Sequence, residues 1–448
     1  MRLRRFLGLA TLATLVSSDA LGQSPSTGNL RDLLTGFLRA GITLAPPSTA
    51  GFPSHEAHFI GADSPQFAAF SQLSSQLANQ LSTFPLASSA GGFTYRFDPA
   101  LGVFSRASDS FGPIFGERAD TIGRGKFNIG LNYSHYTFDR VNDLGLREGD
   151  LRLVFTHQDI NSDHSNTSPF FEGDVITAAV AVKIETSITA FVMSYGLSDS
   201  LDVGFAVPVV NVSLDAQTDA VIQRLATGTA APTIHRFLNG TDKQTFSSAG
   251  RASGVGDILA RAKYRVLGGA AGGGLAAAAE VRLPTGDERD LLGTGVLQVG
   301  GFLYASMPVG VFSPHLNAGY RWANNNSETR IPDEISATLG VDIALSPRFT
   351  FAIDVLGRDF RNTDVATVAL VEYTANVNPV ATAPPTLVTA AFPTLVTERK
   401  DAVSYLGTIG FKVNPFGNLL LTVNGLFALN KKGLQDSFTP VVGLDYSF

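Results

Sequence analysis

The sequence predicts an all-β fold, an antiparallel transmembrane β-barrel of about 12 strands with a partly helical N-terminal extension or plug. Three observations carry this. Apolar residues alternate with polar and charged ones in many short segments, the last of which ends the chain at Phe448. The connections between these segments are by turns short and long. Charged residues make up 16% of the chain against 44% hydrophobic, below the roughly 25% of an ordinary soluble domain.

The alternation is clearest at the C-terminus. Val442, Leu444, Tyr446 and Phe448 share one face, while Val441, Gly443, Asp445 and Ser447 take the other. Upstream, Tyr405, Ile409, Phe411 and Val413 oppose Ser404, Thr408 and Lys412. Phe349, Phe351, Ile353 and Val355 oppose Thr350, Asp354 and Arg358; Ile335, Leu339, Val341 and Ile343 oppose Glu334, Ser336, Thr338 and Asp342. The same holds for Leu275, Val281 and Leu283 against Glu280 and Arg282, and for Ile258, Tyr264 and Val266 against Asp257, Arg261, Lys263 and Arg265. Near the start of the series, Phe127, Ile129, Leu131 and Tyr133 oppose Asn128, Asn132 and Ser134. A period of two places alternate residues on opposite sheet faces. In water the apolar faces would pack together; in a membrane barrel they meet lipid and the charged faces line the lumen.

Three features choose the membrane barrel. The first is a leader in residues 1–22. Arg2, Arg4 and Arg5 precede the apolar run Phe6 to Val16, and Ala20-Leu21-Gly22 precedes an expected cut at Gln23, the make-up of a cleavable signal peptide. The second is the terminal aromatic Phe448, which resembles the recognition signal of bacterial outer-membrane barrels and implies the barrel-assembly machinery as a partner. The third is loop asymmetry. Ser198 to Ser200, Gly268 to Gly272, Pro308 to Gly310, Ser346-Pro347 and Asn414 to Gly417 are short; Asp215 to Ser253, Pro284 to Gly293, Ala323 to Asp333 and Arg361 to Asp401 are long. Short periplasmic turns and longer external loops belong to outer-membrane barrels. The expected location is therefore the bacterial outer membrane, reached through the periplasm, with lipid as partner. Twelve strands follow Gly125, and a further pair including Leu151 to Thr156 would make 14. Domains are expected at 1–22 (signal peptide), 23–122 (extension or plug) and 123–448 (barrel).

Within the extension, Ser64 and Pro65 open a helix whose stripe is Phe67, Phe70, Leu73, Leu77, Leu81 and Phe84, with an N-cap and a proline at the first helical position. A second helical pattern runs near Leu30 to Leu38. The segment is expected inside the barrel or packed on its end.

Composition excludes several functions. With no cysteine there is no disulfide, thiolate metal site or cysteine nucleophile. Loss of residues 1–22, with their three arginines and Asp19, moves the net charge from −6 to −8, so no nucleic-acid partner is expected. Gly293-Thr294-Gly295 lacks the Lys-Ser/Thr of a phosphate loop. His55 and His58 stand three apart with no further ligand evident in the sequence, so no metal is expected. His164-Ser165-Asn166 sits in a polar loop and does not make a triad, whose members meet in space rather than in sequence. No enzyme activity and no cofactor are expected.

The candidate functional residues are therefore the inward charges: Asp257, Arg261, Lys263, Arg265, Glu280, Arg282, Arg321, Glu334, Asp342, Asp354 and Arg358. Fixed charges of both signs set ion preference in a wet lumen, or pair into ladders that fill a narrow one. Tyr264, Tyr320, Trp322, Tyr405, Tyr446 and Phe448, near strand ends, are candidates for the aromatic girdles of the two membrane interfaces.

Several strings in order resemble one family: Gly123-Arg124-Gly125-Lys126-Phe127, Tyr195-Gly196-Leu197-Ser198-Asp199, Leu201-Asp202-Val203-Gly204 with Pro208, Gly256-Asp257, Leu283-Pro284-Thr285-Gly286-Asp287, Gly293-Thr294-Gly295 and Asn317-Ala318-Gly319-Tyr320. Together they resemble the outer-membrane channel family linked to meta-cleavage phenol degradation, itself similar to long-chain fatty-acid transporters. The resemblance covers roughly Gly123 to Phe448 and implies a barrel that passes small hydrophobic or aromatic compounds, with no catalytic motif. The other expectation is a structural or adhesive barrel with a closed lumen, acting through its long external loops.

Overall fold

The computed structural model describes residues 29–46, 55–60, 65–83, 92–98, 103–106, 108–228, 234–268, 272–325, 330–380 and 383–448. The leader, Ser64 and Phe84 lie outside the described residues, as does the side chain of Leu81.

Twelve antiparallel strands close into a ring, as the alternation predicts. In chain order they are β1 Phe127–Phe138, β2 Val175–Gly196, β3 Leu201–Gln223, β4 Ile258–Gly268, β5 Gly274–Leu283, β6 Gln298–Ser306, β7 Phe312–Ala323, β8 Asp333–Ser346, β9 Phe349–Asn376, β10 Leu387–Val413, β11 Leu419–Ala428 and β12 Thr439–Ser447. Closure comes from β12 on β1, with Ser447 opposite Asn128 and Val441 opposite Ser134. The Phe448 amide extends that seam by donating to the Phe127 carbonyl at 2.8 Å. A closed ring leaves no unpaired edge, which is what allows strands to sit in hydrocarbon.

The side chains are distributed opposite to those of a soluble barrel. On β1, Ile129, Leu131 and Tyr133 are exposed, while Asn128 and Asn132 are buried. On β7, Leu316, Tyr320 and Trp322 face out, and Ser313, His315 and Asn317 face in. On β10, Tyr405, Ile409 and Phe411 face out, and Ser404, Thr408 and Lys412 face in. An apolar band this continuous is stable only against lipid. Phe312 to Trp322 is ten residues along β7; at ~3.3 Å per residue and a tilt of ~40° they rise about 25 Å, the height of such a band.

All five short turns lie at the Phe448 end of the barrel. At the other end two predicted loops turn out to be strand. Asp215 to Gln223 continues β3, and Lys243–Val255 returns along it from Val221 to Val209. Arg361 to Asp401 is mostly the tall hairpin of β9 and β10, paired up to Asn376 opposite Leu387. These stretches are rich in Thr and Val, which suit a pleated backbone, but their mixed polar faces hide the period of two. Leu151–Thr156 pairs with the upper half of β2. Both extra strands lean on the ring without entering it, so the sheet has 14 strands and the barrel 12.

Inside this raised end the lumen is apolar. Ile176, Val180, Val182 and Ile184 of β2 and Val210, Val212 and Leu214 of β3 are buried. Against them pack α1 (Leu30–Ile42), through Leu34, Leu38 and Ile42, and α2 (Pro65–Ser82), through Phe67, Phe70, Leu73 and Leu77. The Asn29 side chain caps α1 by accepting from the Asp32 amide at 2.8 Å, a satisfied orphan donor at the helix start. A small hairpin, Tyr95–Asp98 with Val103–Arg106, sits at the short-turn end, where the Tyr95 hydroxyl reaches Asn418 at 3.5 Å.

Candidate functional site: a plugged lumen

What obstructs the lower lumen is neither helix. Residues 110–122 cross it as irregular chain with bends at 114–116 and 119, tied to the wall at nearly every step. On one side the Lys412 ammonium donates to the Pro113 carbonyl at 2.6 Å, and Thr350 Oγ1 accepts from the Phe111 amide at 2.9 Å. Asp354 Oδ2 accepts from the amides of Ile114, Phe115 and Gly116 at 3.1, 2.9 and 3.3 Å. His315 Nε2 meets the other oxygen of Asp354 at 2.8 Å, and Arg118 pairs with Asp342. On the far side Ser306 Oγ accepts from the Ala119 amide at 3.0 Å, and Lys263 donates to the Asp120 carbonyl at 2.7 Å. Asp202 Oδ2 takes the Ile122 amide at 2.9 Å. A segment without regular secondary structure crossing a lumen has unpaired main-chain groups that need partners; the inward polar side chains supply them.

Above this segment lies a cavity of about 170 Å³. Phe115 and Glu117 of the plug border it, with Leu259, Phe302, Tyr304 and Leu356 from the wall and Thr83 from the end of α2. One wall is a ladder of charges that runs from the plug across β4, β5, β7, β8 and β9. Glu117 meets Arg261 at 2.7 Å, Arg261 meets Glu280 at 3.6 Å, and Arg321 bridges Glu280 and Glu334 at 3.4 and 3.1 Å. Arg358 closes the run with a two-pronged contact to Glu334 at 2.9 and 2.8 Å, and also donates to Thr83 Oγ1 at 3.1 Å. Paired, fork-shaped contacts are the strong form of such bonds. The guanidinium groups of Arg261 and Arg321 also lie over the rings of Tyr304 and Phe302, at 4.9 and 5.6 Å.

All eleven candidate charges point inward, but to three different ends. Arg261, Glu280, Arg282, Arg321, Glu334 and Arg358 border the cavity. Lys263, Arg265, Asp342 and Asp354 hold the plug or its approach; Arg265 bonds to the Asp199 carbonyl at 2.8 Å. Asp257 does neither. It is buried, and it accepts from the Gly286 amide at 3.1 Å and from the Thr294 amide and hydroxyl at 2.8 and 2.7 Å. It therefore ties Leu283 to Asp287 and Gly293 to Gly295 into one knot at the far rim. The aromatic candidates are all outward and exposed, with Tyr264, Tyr446 and Phe448 toward the short-turn end and Tyr320 and Trp322 toward the other end of β7.

Sequence reasoning missed Glu117 and Arg118, which have no periodic signal in an irregular plug. It also missed Asp202 and His315, although the alternation of Ser313, His315 and Asn317 with Leu316 marks an inward face. Lys412 and Asp445 stand on faces read as inward, yet were not singled out. His164 is exposed, and Ser165 bonds only within its own turn, to Thr167 at 2.6 Å. His55 and His58, expected to lack further ligands, are joined in space by His157 and His235.

The family model described as "Putative MetA-pathway of phenol degradation" matches residues 165–367, which bears out the resemblance read from the strings. No curated protein sequence matches the chain. Among solved structures, an outer-membrane channel from Pseudomonas putida F1 aligns at 14% identity over 74% of this chain and 98% of that one, with a TM-score of 0.42. A FadL homologue from Pseudomonas aeruginosa aligns at 11% over 80% and 94%, TM-score 0.31. The Ralstonia pickettii toluene transporter TbuX aligns at 12% over 73% and 90%, TM-score 0.28. Likenesses this distant carry no inference about cargo. Residues 165–367 match that family's model, and the fold is a closed antiparallel β-barrel with an apolar outer face.

Proposed function

We propose that this protein passes small hydrophobic or aromatic molecules across the outer membrane by diffusion through its lumen, with residues 110–122 as the obstruction that must move. The observation that supports this is the cavity. It is closed below by the plug, and its 170 Å³ compares with the roughly 150 Å³ that accommodates benzene in an engineered protein core. Phe115, Phe302, Tyr304, Leu259 and Leu356 offer it apolar and aromatic surface. Six of the seven bordering charges are paired in the ladder, and Arg282 gives the wall one more positive charge than negative. The apolar upper interior continues this character toward the long-hairpin end. Export by the leader, assembly through the Phe448 strand and lipid as the surrounding partner belong to the same proposal, and no step in it uses ATP or a cofactor.

A second reading has one observation in its favour. The β9–β10 hairpin stands well beyond the band and exposes Leu370, Leu387 and Val388 at its upper part, surface suited to holding something outside the cell. Uptake of labelled toluene by cells with a lipopolysaccharide outer membrane separates the two. Under the channel reading, cells making the protein take toluene up faster than cells that do not, and Leu356→Trp, which fills the cavity, abolishes the difference while the barrel still inserts. Equal uptake by both kinds of cell, with the barrel inserted, would remove the channel reading and leave the hairpin surface.

A further inference from the structure

Above the membrane band, four imidazoles from distant parts of the chain meet. His55 and His58 belong to the turn between α1 and α2; His157 follows the strand Leu151–Thr156; His235 lies in the connection after β3. His55, His157 and His235 are fully buried or nearly so. Each of His55, His58 and His157 offers a ring nitrogen within 4.8 Å of the others. His157 Nε2 lies 3.1 Å from His55 Nδ1 and 3.1 Å from His58 Nδ1, and His235 Nε2 lies 3.0 Å from the same His55 Nδ1.

The outer partners fix which nitrogens carry hydrogen. His157 Nδ1 sits 2.7 Å from the Gln158 carbonyl, which can only accept, so the hydrogen is there and Nε2 is a bare lone pair. His235 Nδ1 sits 2.8 Å from Asp174 Oδ2, which leaves its Nε2 bare in the same way. Asp174 is itself fully buried and held by the Thr227 hydroxyl at 2.6 Å and the Ala226 amide at 2.9 Å. Two lone pairs thus converge on His55 Nδ1, which has at most one hydrogen to give. A neutral hydrogen-bonded network satisfies two of the three contacts and leaves the third without a proton.

We infer that His55, His58, His157 and His235 form a site for a divalent transition metal ion of the zinc class, with Asp174 orienting His235 from behind. Metal–nitrogen bonds of ~2.0–2.1 Å in a tetrahedron set neighbouring nitrogens about 3.3 Å apart, close to the three separations seen. A carboxylate or carbonyl behind a ligating imidazole is the usual support for such a site. A donor set of imidazoles without thiolate suits zinc, copper(II) or nickel rather than magnesium or calcium. The ion would staple the α1–α2 turn to the raised wall. That turn is already sewn there by the Gln158 amide on the His58 carbonyl at 2.7 Å and by Leu44 bridging Phe237. The site stands whether or not the lumen conducts.

The test uses full-length, tag-free protein folded in detergent, stripped with chelator and titrated with zinc, then with cobalt(II) as a spectroscopic probe. The result expected is one equivalent of metal bound, visible cobalt d–d bands of a nitrogen-rich tetrahedral site, and slower protease cleavage of the α1–α2 turn in the bound form. His58→Ala, on the least buried ring, should weaken binding strongly, and Asp174→Asn by roughly 10–100-fold. Far-UV circular dichroism checks that each variant remains a barrel. Wild-type protein that binds no metal, or binds it no more tightly than His58→Ala and Asp174→Asn do, would overturn the assignment and leave a buried imidazole network.

Discussion

Asn317 holds the main chain of Glu117 with both ends of its side-chain amide: the Glu117 amide donates to Oδ1 at 2.7 Å, and Nδ2 donates to the Glu117 carbonyl at 2.8 Å. An inward side chain of β7 thus imitates one rung of a β-ladder and fixes the plug at mid-lumen, where Glu117 also begins the charge ladder through Arg261. Asn317 removes nothing from the barrel's own hydrogen bonding, so its loss should act on the plug alone. Asn317→Leu forfeits two hydrogen bonds of ~1 kcal/mol each, a shift of roughly 30-fold toward a detached plug. Hydrogen exchange at the amides of 110–122 should quicken accordingly while the strand amides stay protected. Unchanged exchange in the plug would show that its other ties suffice.

The Glu334–Arg358 pair makes a different prediction. Both side chains are 8% exposed, and the contact is two-pronged. Removing one partner of a buried pair leaves the other uncompensated, at a cost of ~3–5 kcal/mol. Arg358→Leu should therefore lower stability to urea unfolding in lipid by about that much, and adding Glu334→Leu should restore a good part of it. A double variant no better than the single would mean that Arg321 and the other ladder members hold Glu334 unaided.

Asp257 is expected to govern one loop rather than selectivity. Asp257→Ala takes away the acceptor for three hydrogen bonds from Gly286 and Thr294 and should open residues 284–295 to protease while leaving the ion preference of the lumen unchanged. A changed ion preference would place Asp257 in the conducting path after all.

Trp322 is the single tryptophan of the chain, and it is exposed on the outward face near the far end of β7. Its fluorescence should be quenched most by lipids brominated near the headgroups and least by those brominated at the chain ends, since indole rings settle at the interface. The opposite order would shift the membrane band along the barrel.

The fold was legible because each ring strand has one lipid face and one wet face, so the period of two survives in the residues themselves: Val442, Leu444 and Tyr446 against Asp445 and Ser447. Where that contrast fades, as between Thr363 and Thr397, the strands were read as loops. The lumen charges were legible as a set, but not their division of labour. Arg358 and Asp257 look alike in sequence, and only distant partners separate a cavity wall from a loop knot. The strings that resemble the phenol-degradation family have a physical counterpart. Asp202 and Asn317 both fasten the plug, while Gly256-Asp257, Thr285-Gly286 and Gly293-Thr294 form one hydrogen-bonded corner. The histidine cluster was half visible, since His55 and His58 are close in sequence but His157 and His235 reach them only through the raised walls of β2 and β3.

If passage requires residues 110–122 to leave the lumen wall, locking them there stops it. The chain has no cysteine, so Ala119→Cys with Ser306→Cys introduces one possible disulfide, at a place where the Ala119 amide lies 3.0 Å from Ser306 Oγ. Toluene uptake is measured in cells making this variant, oxidised and then reduced. Uptake should fall to the level of cells lacking the protein while the disulfide is closed, and recover to the wild-type rate once it is opened. Uptake at the wild-type rate with the disulfide closed would contradict it.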